Sequence, residues 1–161
     1  MEDRLFRNAM GSFSTGVTVI VTETNEGTHG MTANAFMSQS LEPRLIIISL
    51  KEDAHMLNKI NESGFFSVNI LSEEQQDLSM IFAGQVKSAK KVEFDYLDGK
   101  PVISGAIAQI TCTVKSEYVE GDHTIFIGHV TEVHLEGGEP LIFSKGKYRR
   151  LEKAGVTANS D

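Results

Sequence analysis

The sequence predicts a mainly β protein: an antiparallel barrel, closed or partly closed, with a few short helices. Three observations carry that expectation. From Ile107 onward apolar and polar residues alternate over a long stretch, and after EGDH the run TIFIGHVTEVHL answers it, the strongest hairpin signal in the chain. Two earlier runs, VTVIVTET and RLIIISL, are β-branched or apolar almost throughout. The helical patterns between them are short.

The elements follow in order. Asp3 precedes LFRNAMGSF, where Leu5, Phe6, Ala9, Met10 and Phe13 recur at helical spacing, so an opening helix is expected to end between Gly11 and Gly16. VTVIVTET is a strand, and NEG turns it into THGMTA. RLIIISL is apolar on both faces and is expected to be covered twice. Asp53 is placed to cap a helix AHMLNKINES, with Met56, Leu57 and Ile60 on the buried side and Gly64 as its stop. FFSVNIL is a strand. SEEQQDLSMIFAG reads as a helix opened by a capping pattern from Ser72 to Gln75.

QVKSAKKVEFDYLDGKP reads as a polar, irregular surface excursion. In the alternation that follows, Ala108, Ile110, Cys112 and Val114 share one face, and Gln109, Thr111, Thr113 and Lys115 the other. GGEP separates the long hairpin from a last short strand LIFS and the segment GKYRRL. Apolar residues on both faces of TIFIGHVTEV predict that one face meets a second subunit. The chain reads as one domain over 1–152, with 153–161 a disordered tail.

Composition narrows the function. The 161 residues are 40% hydrophobic and 23% charged, enough for one full core. A net charge of −7 argues against nucleic-acid binding. No apolar run approaches a membrane span, and MEDRLFRNAM lacks the apolar core of a signal peptide, so a cytoplasmic protein is expected. The single cysteine, Cys112, excludes an internal disulfide and any zinc site of several thiolates. It alternates with core residues and has no paired base, which makes it a small buried hydrophobe rather than a nucleophile. His29, His55 and His123 lie in separate loops or helix starts, and His129 and His134 point to opposite faces of one strand; no metal site is expected. No Gly-x-Gly-x-x-Gly opens a helix after a strand, so a dinucleotide-binding Rossmann unit is absent.

What remains is an uncharged shelf, GMTANAFMSQS, just before the apolar strand RLIIISL. It offers hydroxyls at Thr32, Ser38 and Ser40, an amide at Asn34, and backbone N–H groups beside small side chains. Such a surface suits a planar heteroaromatic ring, although an ordinary strand connection has the same composition. Ser49, Leu50, Lys51 and His55 surround the start of the next helix, where free N–H groups and a lysine make an anion site. A flat polar shelf one strand from an anion site suits a nucleotide-like ligand.

From Met1 to Leu151 the chain also resembles the small flavin reductases of two-component flavin-dependent aromatic monooxygenases, of the phenol and 4-hydroxyphenylacetate hydroxylase type. FRNAMGSFSTGVTVIVT, HGMTANAFMSQSLEP, FAG at 82–84, EGDHTIFIGHV and PLIFSKGKYRRL carry the resemblance through their order and spacing. It implies an FMN-binding split barrel of Greek-key type, a homodimer, and reduction of FAD or FMN by NADH (preferred) or NADPH. The reduced flavin would diffuse to a larger oxygenase component. By this resemblance, flavin lies against Gly30, Met31, Thr32, Ala33, Asn34 and Ala35, with Ser38 and Ser40 behind the ring. Ser49, Leu50, Lys51 and His55 take the ribityl phosphate, while Phe82, Ala83 and Gly84 line the edge. Gly121, Asp122, His123 and Tyr148 approach the nicotinamide. Glu52 and Asp53 depart from the serines and threonines of many relatives. Hydride transfer is the cofactors' own chemistry, which explains an active site without an acid or base. Two rival expectations are a flavin-binding redox sensor or store that does not turn over NADH, and a ligand-free interaction module.

Overall fold

The computed structural model describes residues 1–87 and 91–155; of the tail expected over 153–161, residues 156–161 lie outside them. The chain opens with α1 (Asp3–Gly11) and the two-residue β1 (Thr15–Gly16), then runs through β2 (Thr18–Thr24), β3 (Gly27–Ala33), β4 (Phe36–Leu41) and β5 (Arg44–Lys51). After α2 (His55–Ser63) come β6 (Phe65–Ile70), α3 (Gln76–Phe82), β7 (Phe94–Leu97) and β8 (Lys100–Ile103). The long pair β9 (Ala108–Glu120) and β10 (His123–Leu135) precedes β11 (Ile142–Ser144) and β12 (Lys147–Arg149).

Seven strands form one antiparallel sheet in the order β3-β2-β6-β9-β10-β5-β4. Its two edge strands, β3 and β4, are consecutive in the chain and joined only by Asn34 and Ala35. The expected barrel is therefore split at that seam. One core cluster lies on the inner face, built from Ile20, Ile46, Ile48, Leu50, Phe66, Val68, Cys112 and Phe126, with Met56 and Ile60 from α2. A second, on the outer face of β2, holds Val17, Val19, Val21, Leu71, Ile103, Ala106 and Leu141.

Several expectations change in detail. Only the inner face of β5 is fully buried; Leu45, Ile47 and Ser49 are partly exposed, and among the described residues no element covers the outer face. Asp53 does not cap α2. Ala54 holds that position without a side-chain bond, and Asp53 pairs with Lys51 at 3.6 Å instead. Gly64 does end the helix, at φ 76°. Half of the expected capping pattern is present, since Gln75 Oε1 accepts from the Ser72 N–H at 3.0 Å, but helix α3 starts only at Gln76, with Ser72 bridging to Pro140.

The surface excursion contains a hairpin, β7–β8, turned by Asp98 and Gly99 at φ 50° and 69°. Residues 88–90 of it lie outside the described residues. This hairpin covers the polar side chains of β6 and β9. Ser67 Oγ donates to the Pro101 carbonyl at 2.7 Å, Asn69 Oδ1 accepts from the Ile103 N–H at 2.9 Å, and Gln109 Nε2 donates to the Ile103 carbonyl at 2.7 Å. Gln109 and Thr111 are thus buried rather than solvent-facing. Among the described residues, no helix is long and apolar enough to cross a membrane.

Candidate functional site

The shelf forms one wall of a cavity of about 160 Å³. Thr32 and Ala33 come from the end of β3, Asn34 from the connection after it, Val17 from the residue before β2, Ser79 from α3, Ala83 and Gln85 from just beyond it, and Phe143 and Tyr148 from β11 and β12. Short hydrogen bonds hold these walls together. Thr32 Oγ1 donates to the Ser79 carbonyl at 2.6 Å, which ties β3 to α3. Ser79 Oγ and Tyr148 Oη lie 2.7 Å apart, tying α3 to β12. Phe143 meets Tyr148 edge-on at 5.4 Å.

Gly30 is needed for the approach of α3 to β3, since a Cβ there would come within 2.5 Å of the Phe82 ring. Gly84, at φ 74°, turns the chain away after α3 and leaves Ala83 and Gln85 at the cavity edge. The lining carries no charged side chain.

A second group of residues continues from the seam. The Ser49 N–H donates to the Ala35 carbonyl at 3.1 Å, so β5 abuts the linker between β3 and β4. Two residues on, about 7 Å along the strand, Lys51 shares the outer face with Ser49. Leu50 points the other way and is 1% exposed, leaving only its backbone for a ligand. Lys51 sits opposite His123 in the β5–β10 ladder.

His123 Nδ1 is 2.8 Å from Asp122 Oδ1, and the Glu52 N–H donates to the Asp122 carbonyl at 2.9 Å. The hydrogen bond from His123, then its charge, holds the Asp122 carboxyl below its usual range. Gly121, at φ 62°, makes the turn. Exposed His55 begins α2, whose first turn has no side-chain cap and leaves N–H groups free for an anion.

The structure thus brings Thr32, Ala33, Asn34, Ala83 and Tyr148 to one cavity, and Ser49, Lys51, Asp122 and His123 to the adjoining face of β5 and β10. Tyr148 is placed with the shelf, apart from the turn that carries His123. Met31 packs on the inner core cluster. Ser38 and Ser40 are opposite Ile46 and Leu45, on different faces of the sheet, because a bulge intervenes. Val17, Ser79, Gln85 and Phe143 were not singled out from sequence. Only Phe143 and Val17 fall within the segments that carry the family resemblance, and nothing local marks Ser79. A larger hollow of about 530 Å³ lies beyond Phe143, between α1 and the β11–β12 turn, but its lining shares only Phe143 with the shelf cavity.

Comparison with known proteins agrees on one family. Residues 10–152 match the family described as flavin reductase like domain. An NADH-dependent flavin reductase of Rhodococcus sp is 40% identical over 152 residues, covering 92% of this chain and 86% of the relative. The reductase component of 4-hydroxyphenylacetate 3-monooxygenase from Thermus thermophilus is 40% identical over 147 residues, 91% of this chain and 95% of its own. Among solved structures, flavin reductase PheA2 in its native state superposes with a TM-score of 0.93 at 56% identity, covering 95% of this chain and all of that one.

Proposed function

The chain belongs to the flavin reductase like domain family, and from that premise we propose that it reduces FAD or FMN with NADH at the shelf cavity and supplies the reduced flavin to a separate aromatic monooxygenase. The observation that supports the site is the uncharged cavity at the barrel seam, joined through Ala35 and Ser49 to a face bearing Lys51, His55 and His123. When bound, the two nucleotides supply the hydride chemistry themselves.

The chain's residues bind, orient and exclude water. Backbone N–H groups of the Thr32–Ala35 segment would hold the ring edge and stabilise negative charge there. The free first turn of α2, with Lys51, holds phosphate. Lys51 also offsets Asp53, one of the two acidic residues that oppose an anion. Asp122 orients the His123 imidazole so that its other nitrogen faces outward as a hydrogen-bond partner for a carboxamide or phosphate.

The second subunit belongs to the same proposal. A cavity of about 160 Å³ is below the roughly 300–1,000 Å³ of ordinary ligand pockets, so one chain encloses only part of a flavin. Leu5, Phe6, Met10 and Phe13 of the α1 region and Tyr118, Val119, Val133 and Leu135 of the long hairpin are exposed large apolar side chains. A homodimer that buries the outer face of β10, where Ile125 and Ile127 stand opposite Ser49 and Ile47 of β5, is the assembly proposed.

The test is flavin titration followed by NADH kinetics on the same sample. Sustained NADH consumption with excess FAD or FMN is expected. Flavin binding without turnover would mark a sensor or store, and neither binding nor turnover would mark an interaction module.

A further inference from the structure

Ser79 borders the cavity wall but has no accessible surface, whereas Tyr148 beside it is partly exposed. Among the described residues, the only side chain bonded to Ser79 Oγ is the Tyr148 hydroxyl at 2.7 Å. The two groups have two protons and share one hydrogen bond. One proton must therefore point elsewhere. If Tyr148 donated, the Ser79 proton would be stranded in the protein interior without an acceptor, which is costly. If Ser79 donates, the free proton belongs to Tyr148, which lines the cavity and can give it to a ligand. The second direction is favoured.

Ser79 is also a joint between walls, because its carbonyl accepts from Thr32 Oγ1 at 2.6 Å. Its two bonds hold β3 and β12 at fixed positions against α3. We propose that Ser79 is a positioning residue for flavin reduction: it donates to Tyr148 Oη, commits the phenol proton to the cavity, and makes Tyr148 a hydrogen-bond donor to a carbonyl oxygen of the bound flavin or nicotinamide. Tyr148 then discriminates for ligands that present an acceptor at that point. The inference rests on the reading of this cavity as the ligand site.

The experiment compares the wild type with Ser79→Ala, Tyr148→Phe and the double variant. Two readouts are taken on each: FMN affinity from quenching of flavin fluorescence, and kcat and KM for NADH with FMN as acceptor. The two single variants should impair the same parameter by about three- to tenfold, the size of one lost hydrogen bond. The double variant should be no worse than Tyr148→Phe, since Ser79 acts through that hydroxyl. Losses that multiply, or a Ser79→Ala protein with wild-type values in the parameter that Tyr148→Phe changes, would overturn the proposal.

Thermal unfolding checks that each variant is folded. Should Ser79→Ala fail to fold, Ser79→Cys keeps the volume with a weak donor and is expected to show the same impairment; wild-type constants in it would overturn the proposal equally. FMN affinity needs no turnover. A wild type that binds FMN without consuming NADH therefore refutes the functional reading while the affinity comparison still decides the role of Ser79, and one that binds no FMN refutes both.

Discussion

Gly128→Ala tests the packing of the barrel interior. A Cβ on Gly128 would lie 2.6 Å from Phe66 Cζ, 2.9 Å from Cys112 Cβ and 3.2 Å from Cys112 Sγ. Carbon atoms pack comfortably at about 3.5–4.0 Å, so two contacts overlap by roughly half an ångström or more. Phe66 and Cys112 are both fully buried, and the Cys112 Cβ cannot rotate away because it is fixed to β9. The strain must pass into the β9–β10 ladder, which already shifts register between Ile127 and Gly128. Overpacking of this kind costs about 1–3 kcal/mol, and replacing a strand glycine by alanine returns about 0.5–1 kcal/mol. The two ranges leave about 0–2.5 kcal/mol, and because neither contact can give way the upper part, about 1–2 kcal/mol, is the expected loss. For a chain of this size that lowers Tm by roughly 2–8 °C, readable by calorimetry or circular dichroism. Phe66→Leu should relieve the clash, so the double variant should lose less than the two single losses added. An unchanged or raised Tm for Gly128→Ala, or strict additivity with Phe66→Leu, would refute this account of the core.

Asn34→Leu removes an amide from the cavity wall and adds bulk, and should weaken flavin binding by about threefold to tenfold; unchanged affinity in a fluorescence titration would place the ring elsewhere. His123→Ala should lower kcat/KM for NADH by roughly tenfold, about 1.4 kcal/mol, with little change in flavin affinity; wild-type NADH kinetics would reduce His123 to a turn residue. Burial pushes the Cys112 thiol up to about 12, so the native protein at mildly alkaline pH should resist thiol reagents until denaturant is added, and prompt labelling of one thiol per chain would contradict that burial. Light scattering at micromolar concentration should give twice the chain mass. A monomer would count against the proposed β10 interface.

The parts of the fold that sequence revealed are those whose signals are local. The apolar spacing from Leu5 to Met10 marked α1, Gly64 marked the end of α2, and the turn at Gly121 and Asp122 marked the long hairpin. Local signals also misled where another group took the residue away. Lys51 draws Asp53 from the cap of α2, and the bridge from Ser72 to Pro140 holds the start of α3 one turn later. The Asp98-Gly99 hairpin was hidden by its polar setting, though that dipeptide is itself a strong turn signal. Alternation placed Gln109 and Thr111 on the face opposite the core, but period two says only that faces differ, not that one of them is wet. At the site, the contiguous shelf was legible. Ser79 and Gln85 were not, because the cavity is assembled from segments far apart in the chain.

The three polar side chains beneath β8 give that strand an address instead of mere adhesion. Ser67 and Gln109 each reach a particular carbonyl, and Asn69 reaches a particular N–H. An oily surface would accept β8 almost equally well if it slid along by one residue, about 3.3 Å. Here such a slide would misalign all three bonds at once, in a layer where Ser67 and Asn69 have no access to water for replacement partners. Neighbouring docked positions are thereby penalised while the correct one gains little. The hairpin behaves as a key cut for one lock. Single substitutions in the layer should therefore broaden the ensemble of hairpin placements before they unfold the barrel.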